Sequence, residues 1–149
     1  RQRQMCIETA GDPAYYNNTL IGSCDFSIQG GSVDAAFISI TNFSIVPNNG
    51  NLTGEEYNIW AGDNVTKLGE TIAQSEGYIT STNANVNADG IYYTDMGEAT
   101  YLSAFGDSGG PVYLTDSKKV IGIHKGSTAF TSIFVKVDNI ASKLNAHFN

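Results

Sequence analysis

Gly106-Asp107-Ser108-Gly109-Gly110-Pro111 is the stretch on which the reading of this chain turns. A serine with glycines on both sides can sit in a tight turn with its hydroxyl exposed, because glycine takes backbone angles closed to other residues. In such a turn the N–H groups of Gly106 and Ser108 point at one spot, which is the geometry of an oxyanion hole. Ser108 is therefore the candidate nucleophile. A purely structural glycine-rich turn around a buried Asp107 is the alternative.

Outward from this turn, short alternating or apolar runs recur at 35–40, 57–61, 71–78, 91–94, 111–114, 120–124 and 132–137. Between them lie 47–51, 83–90 and 115–118, rich in residues that turn the chain. That spacing predicts an all-β sandwich or barrel. Only the C-terminus reads as helix, with Asp138 as the cap and Ile140, Leu144 and Phe148 recurring every four residues on one face. The polar stretch 47–53 is the candidate boundary between residues 1–46 and 47–149.

The 149 residues suffice for one compact unit, and a charged fraction of 15% with 11% aromatics suits a β-rich globule better than a helical bundle. A net charge of −7, with eight scattered basic residues, excludes a phosphate-binding surface and disfavours anionic membranes. No window approaches the ~18 apolar residues of a membrane-spanning helix. Asn17, Asn42, Asn51 and Asn64 each open a glycosylation acceptor triplet. Cys6 and Cys24 form an even pair that favours a disulfide, and with the glycosylation triplets they point to a secreted, extracellular chain. Two cysteines and two distant histidines make no metal site, and no cofactor is expected.

The six-residue string resembles the nucleophile motif of the trypsin and chymotrypsin clan, and the chain around it looks most like the small bacterial streptogrisin-type members. Val33-Asp34-Ala35-Ala36-Phe37-Ile38, followed by Thr41-Asn42, resembles the catalytic-aspartate strand, and Leu20-Ile21-Gly22-Ser23 the strand before it. Val120-Ile121-Gly122-Ile123-His124-Lys125-Gly126 resembles the strand that walls the specificity pocket, and Ser132-Ile133-Phe134-Val135-Lys136-Val137 the strand leading to a closing helix. The resemblance implies a chymotrypsin-like double β-barrel with a truncated first barrel and a C-terminal helix. It makes Ser108 the nucleophile, Asp34 the orienting acid, and Gly106 and Ser108 the oxyanion donors. Asp107 would prop the loop by pairing with a cation. Leu102, Ser103, His124 and Gly126 would line the pocket, which lacks a carboxylate and so favours a medium apolar side chain, or an acidic one through His124.

The chain departs from the pattern at the base. If Cys6 is the cysteine of the family's Ala-x-His-Cys segment, Met5 stands at the histidine position, and methionine accepts no proton at neutral pH. His147 reads as a solvated side chain, and His124 either contacts substrate or hydrogen-bonds within the core near Asp34. The opening strands of the first barrel are also missing, so a second chain completing it is one expectation. The other is a local rebuild with a Cys6–Cys24 bridge, whereas a cysteine on a second chain would leave Cys24 free. Two functions follow: a serine endopeptidase whose base comes from elsewhere, or a pseudoprotease serving as a binding, toxin or effector subunit for a peptide or protein ligand.

Overall fold

The structure is a computed structural model that describes residues 9–16, 18–42, 44, 51–88 and 90–146. Strands β1 (Pro13–Tyr16), β2 (Thr19–Gly30) and β3 (Val33–Ile40) form an antiparallel sheet in the order β1-β2-β3. Strands β4 (Asn64–Leu68), β5 (Gln74–Ala88), β6 (Ile91–Ala99), β7 (Pro111–Leu114), β8 (Val120–Ser127) and β9 (Ser132–Lys136) close into a barrel in the order β4-β5-β6-β9-β8-β7. Helix α1 (Val137–Leu144) follows β9 directly.

Alternation explains the barrel. Val65, Ile79, Ala99, Tyr101, Val112, Ile121 and Phe134 turn inward and fill it. A second cluster, built on Tyr93, Met96, Ile133, Val135, Ile140 and Leu144, seats the helix and takes Ile28 and Ala35 from the small sheet. The two sheets are joined by backbone as well: Gly31 N donates to Tyr92 O at 3.2 Å, and Thr94 N to Gly31 O at 2.7 Å. The small sheet is open, and Tyr15, Tyr16, Leu20, Phe26, Phe37 and Ile40 on it are exposed, Phe26 and Phe37 stacked on each other.

Several sequence expectations need correction. The run 83–90 is not a turn, because β5 continues to Ala88: Ala84, Val86 and Ala88 pack against the second cluster while Asn83, Asn85 and Asn87 face out. The run 57–61 is not a strand, because its amides are taken locally, Tyr57 N and Asn58 N by the Glu56 carboxylate and Trp60 N by Asp63. The helix is capped by Lys136 with no side-chain hydrogen bond, and Asp138 lies in its first turn. Cys24 is a free, buried thiol on β2 rather than half of a Cys6–Cys24 disulfide. Burial and the nearby Asp12 and Asp25 carboxylates push that thiol's pKa up. Cys6, Met5, Asn17, His147 and Phe148 lie outside the described residues.

Candidate active site

Ser108 sits in the long connection from β6 to β7, and the architecture of that loop begins with Asp107. The carboxylate is fully buried and takes four donors: Lys67 Nζ at 2.6 Å and Ala104 N at 3.0 Å on Oδ2, Thr71 N at 2.8 Å and Ile72 N at 3.0 Å on Oδ1. Burial alone would raise its pKa, but the Lys67 ammonium and the amides of Ala104, Ile72 and Thr71 outweigh it and hold Asp107 at about 2. Lys67 in turn donates to Ile72 O at 3.0 Å, so one ion pair ties β4, the β4–β5 turn and the serine loop together.

The glycines then shape the turn. Gly106 and Gly109 hold φ of 101° and 91°, a region that L side chains rarely adopt. Gly110 passes so close to β4 that a Cβ there would lie 2.0 Å from Leu68 O. Asp107 N donates to Ala104 O, Gly109 N to His124 O and Gly110 N to Asp107 O. Among the described residues the amides of Gly106 and Ser108 donate to no protein acceptor, which leaves them available to a ligand. The Ser108 hydroxyl donates to Lys125 O at 2.8 Å.

Asp34 on β3 faces the barrel. Lys125 Nζ lies 2.7 Å from its Oδ2, and the Tyr93 hydroxyl donates to the same oxygen at 3.3 Å. The Lys125 ammonium also sits 5.3 Å from the centre of the Tyr93 ring, a cation–π contact. Burial first, then the Asp34 charge, pushes the Tyr93 hydroxyl's pKa up. Asp34 and Ser108 are thus linked through one residue, Lys125, by its ammonium and by its carbonyl.

His124 is elsewhere. It is buried inside the barrel, its Nδ1 2.9 Å from the Tyr101 hydroxyl and its ring edge-on to that tyrosine. Burial, with the Lys67 charge adding to it, lowers its pKa to about 4, so at pH 7 the imidazole is neutral. Burial pushes the Tyr101 hydroxyl's pKa far up, so the phenol keeps its proton beside the neutral imidazole. Among the described residues it is the only histidine, and it is paired with neither Asp34 nor Ser108. Ser103 reaches Ser132 Oγ at 3.0 Å rather than His124, and Ser132 donates to Tyr101 O at 2.8 Å. Leu102 is 70% exposed, while a Cβ at Gly126 would meet open space.

Of the glycosylation triplets, Asn42 accepts Ser44 N at 3.2 Å and donates to Leu20 O at 3.3 Å, and Asn51 is exposed. The Asn64 triplet has its Thr66 buried and bonded to Thr115. Lys67, Tyr93, Tyr101, Lys125 and Ser132 were not singled out from sequence. The need of Asp107 for a cation was the available signal for Lys67. Nothing in the local pattern around Lys125 marks it as the partner of Asp34.

This closed six-stranded barrel beside a smaller sheet, with the serine loop on the barrel, an aspartate on the sheet and a terminal helix, is the double-barrel fold of the chymotrypsin-clan serine proteases. The particular resemblance is to bacterial members. A glutamic acid specific serine protease, described as using a histidine triad in substrate binding, superposes with a TM-score of 0.80 and 21% identity over 98% of this chain and 83% of its own. Thermobifida fusca Protease A follows with 0.71 and 26% over 83% and 72%, and Nocardiopsis protease with 0.78 and 20% over 92% and 78%. No family model matches the chain, and no curated protein does.

Proposed function

We propose that the chain is the nucleophile-bearing part of a secreted serine endopeptidase. Ser108 attacks the scissile carbonyl, the amides of Gly106 and Ser108 hold the oxyanion, and Asp34 orients a histidine supplied from outside the described residues. One observation carries this reading: two unengaged amides beside a serine, on a loop fixed by a buried ion pair. A preorganised donor pair of that kind is what acyl transfer requires. The exposed aromatic face of the small sheet supports a further strand-forming segment that completes the first barrel. His124 is neutral and engaged by Tyr101, so the reading favours an uncharged side chain ahead of the cleaved bond.

A second reading rests on the Asp34–Lys125 pair. An acid satisfied by lysine needs no histidine, which suits a pseudoprotease that binds peptide without cutting it. Reaction of the intact protein with a fluorophosphonate, followed by peptide mapping, separates the two. The enzyme reading expects the label on Ser108 and none in Ser108→Ala. An unlabelled, folded protein with every natural partner present refutes it. Glu-, Leu- and Arg-containing peptides then test the pocket, and a preference for Glu would overturn the uncharged assignment.

A further inference from the structure

Lys125 holds both candidate catalytic groups at once. Its ammonium is 2.7 Å from Asp34 Oδ2, and its backbone carbonyl accepts a 2.8 Å hydrogen bond from the Ser108 hydroxyl. Both side chains of the ion pair are about a fifth exposed, 22% and 23%, and Tyr93 donates to the same carboxylate oxygen. A strap between the two sheets is the plainer role for such a pair. That role is already filled by the Gly31–Tyr92 and Gly31–Thr94 backbone bonds and by the apolar cluster that takes Ile28 and Ala35.

In a serine triad the acid accepts the imidazole N–H and stabilises the imidazolium that forms as the serine proton leaves. An ammonium fixed on that acid opposes both. It occupies one carboxylate oxygen, and it places a positive charge beside the position where the second positive charge must develop.

We propose that Lys125 is a positioning residue that latches Asp34, so that any imidazole delivered to the site competes with the lysine ammonium for the acid. This deepens the reading above and rests on Ser108 as nucleophile and Asp34 as acid. The latched state is the one seen: acid paired, serine proton turned to a carbonyl, oxyanion amides open. Unlatching requires the Lys125 side chain to leave both Asp34 and the Tyr93 ring, while the backbone carbonyl that holds Ser108 stays in β8.

Free imidazole serves as the probe base and a fluorophosphonate as the electrophile. The Ser108 Oγ–P bond forms, the P–F bond breaks, fluoride departs and the serine proton passes to imidazole. Labelling rates at Ser108 are measured against imidazole concentration for the intact protein, Lys125→Met, Lys125→Arg and Lys125→Met with Asp34→Asn, each checked for native near-UV circular dichroism. Lys125→Met removes the charge and keeps the carbonyl. Its imidazole-dependent rate is expected to rise about tenfold, the change that one pKa unit of imidazolium stabilisation makes. Lys125→Arg stays near the parent, and adding Asp34→Asn abolishes the gain. Equal imidazole dependence in the parent and Lys125→Met overturns the latch while Ser108 chemistry stands. A rise in Lys125→Met that does not depend on imidazole overturns it too. Absence of label from Ser108 in every folded variant overturns both the latch and the functional reading beneath it.

Discussion

Replacing Lys67 by methionine tests what holds the serine loop. The substitution keeps the length and apolar stem of the side chain and deletes one charge. In the parent, four donors meet the four lone-pair directions of the Asp107 carboxylate, and both partners of the ion pair have no exposed side-chain area. In Lys67→Met three backbone amides remain and the negative charge is buried without a counter-ion. Breaking a buried pair from one side costs about 3–5 kcal/mol. Against a total stability of about 5–15 kcal/mol for a domain, that is about a fifth or more of what keeps the chain folded. Equilibrium unfolding in urea measures it directly, with Asp107→Asn and the double variant completing the cycle. The double variant should recover about 1–3 kcal/mol of the summed losses, because neither charge is then stranded. A loss below about 1 kcal/mol in Lys67→Met, with no recovery in the double variant, would mean that water reaches the carboxylate and the pair does not anchor the loop.

Two pH dependences share one sign, because both folded pKa values lie below the free ones and stability is lost as pH falls. His124 has a folded pKa of about 4 against 6.5, so the unfolded chain binds its proton first and stability falls as pH drops from about 6.5 to 4. Urea midpoints across that range should fall in the parent and flatten in His124→Gln, and an unchanged slope in the variant would place the titration elsewhere. Asp107, at about 2 against 3.8, contributes fully above pH 4 and loses its contribution as pH falls towards 2, which acid unfolding of the parent beside Asp107→Asn reads out. Cys24 is buried and unpaired, so a thiol reagent should modify it at the rate of unfolding, and mass mapping that found it in a disulfide would contradict the structure.

Much of the barrel was legible because its strands are short and alternate between turn residues, as at 111–114 and 120–124. Where the reading failed, local chemistry imitated another signal. Asn83, Asn85 and Asn87 looked like turn formers, yet they are the outward half of a strand whose inward half is Ala84, Val86 and Ala88. Strand β4 was passed over because Thr66 and Lys67 look like surface residues. Both are buried, Thr66 against Thr115 and Lys67 against Asp107, and those partners lie about 40 to 50 positions away in the chain. The site shows the same division. Ser108, Gly106 and Asp107 are written in one string, whereas the pairing of Asp34 with Lys125 joins two sheets and has no local mark.

The motif itself mixes two demands, and the structure separates them. Gly106 and Gly109 answer to positive φ, Gly110 to the carbonyl of Leu68, and Asp107 to Lys67 and three amides. All four are required by the fold, so their presence says nothing about catalysis. Ser108 is different: its hydroxyl makes one hydrogen bond, to Lys125 O, in a partly exposed position. Ser108→Ala should therefore change stability by no more than about 1 kcal/mol, the worth of a single neutral hydrogen bond whose acceptor can turn to water. Gly110→Ala, forcing a Cβ against backbone oxygen, should cost more than about 2 kcal/mol. Urea unfolding of the two variants side by side decides the matter. If Ser108→Ala proves as damaging as Gly110→Ala, the serine is part of the scaffold, and its place in the motif ceases to be an argument for a nucleophile.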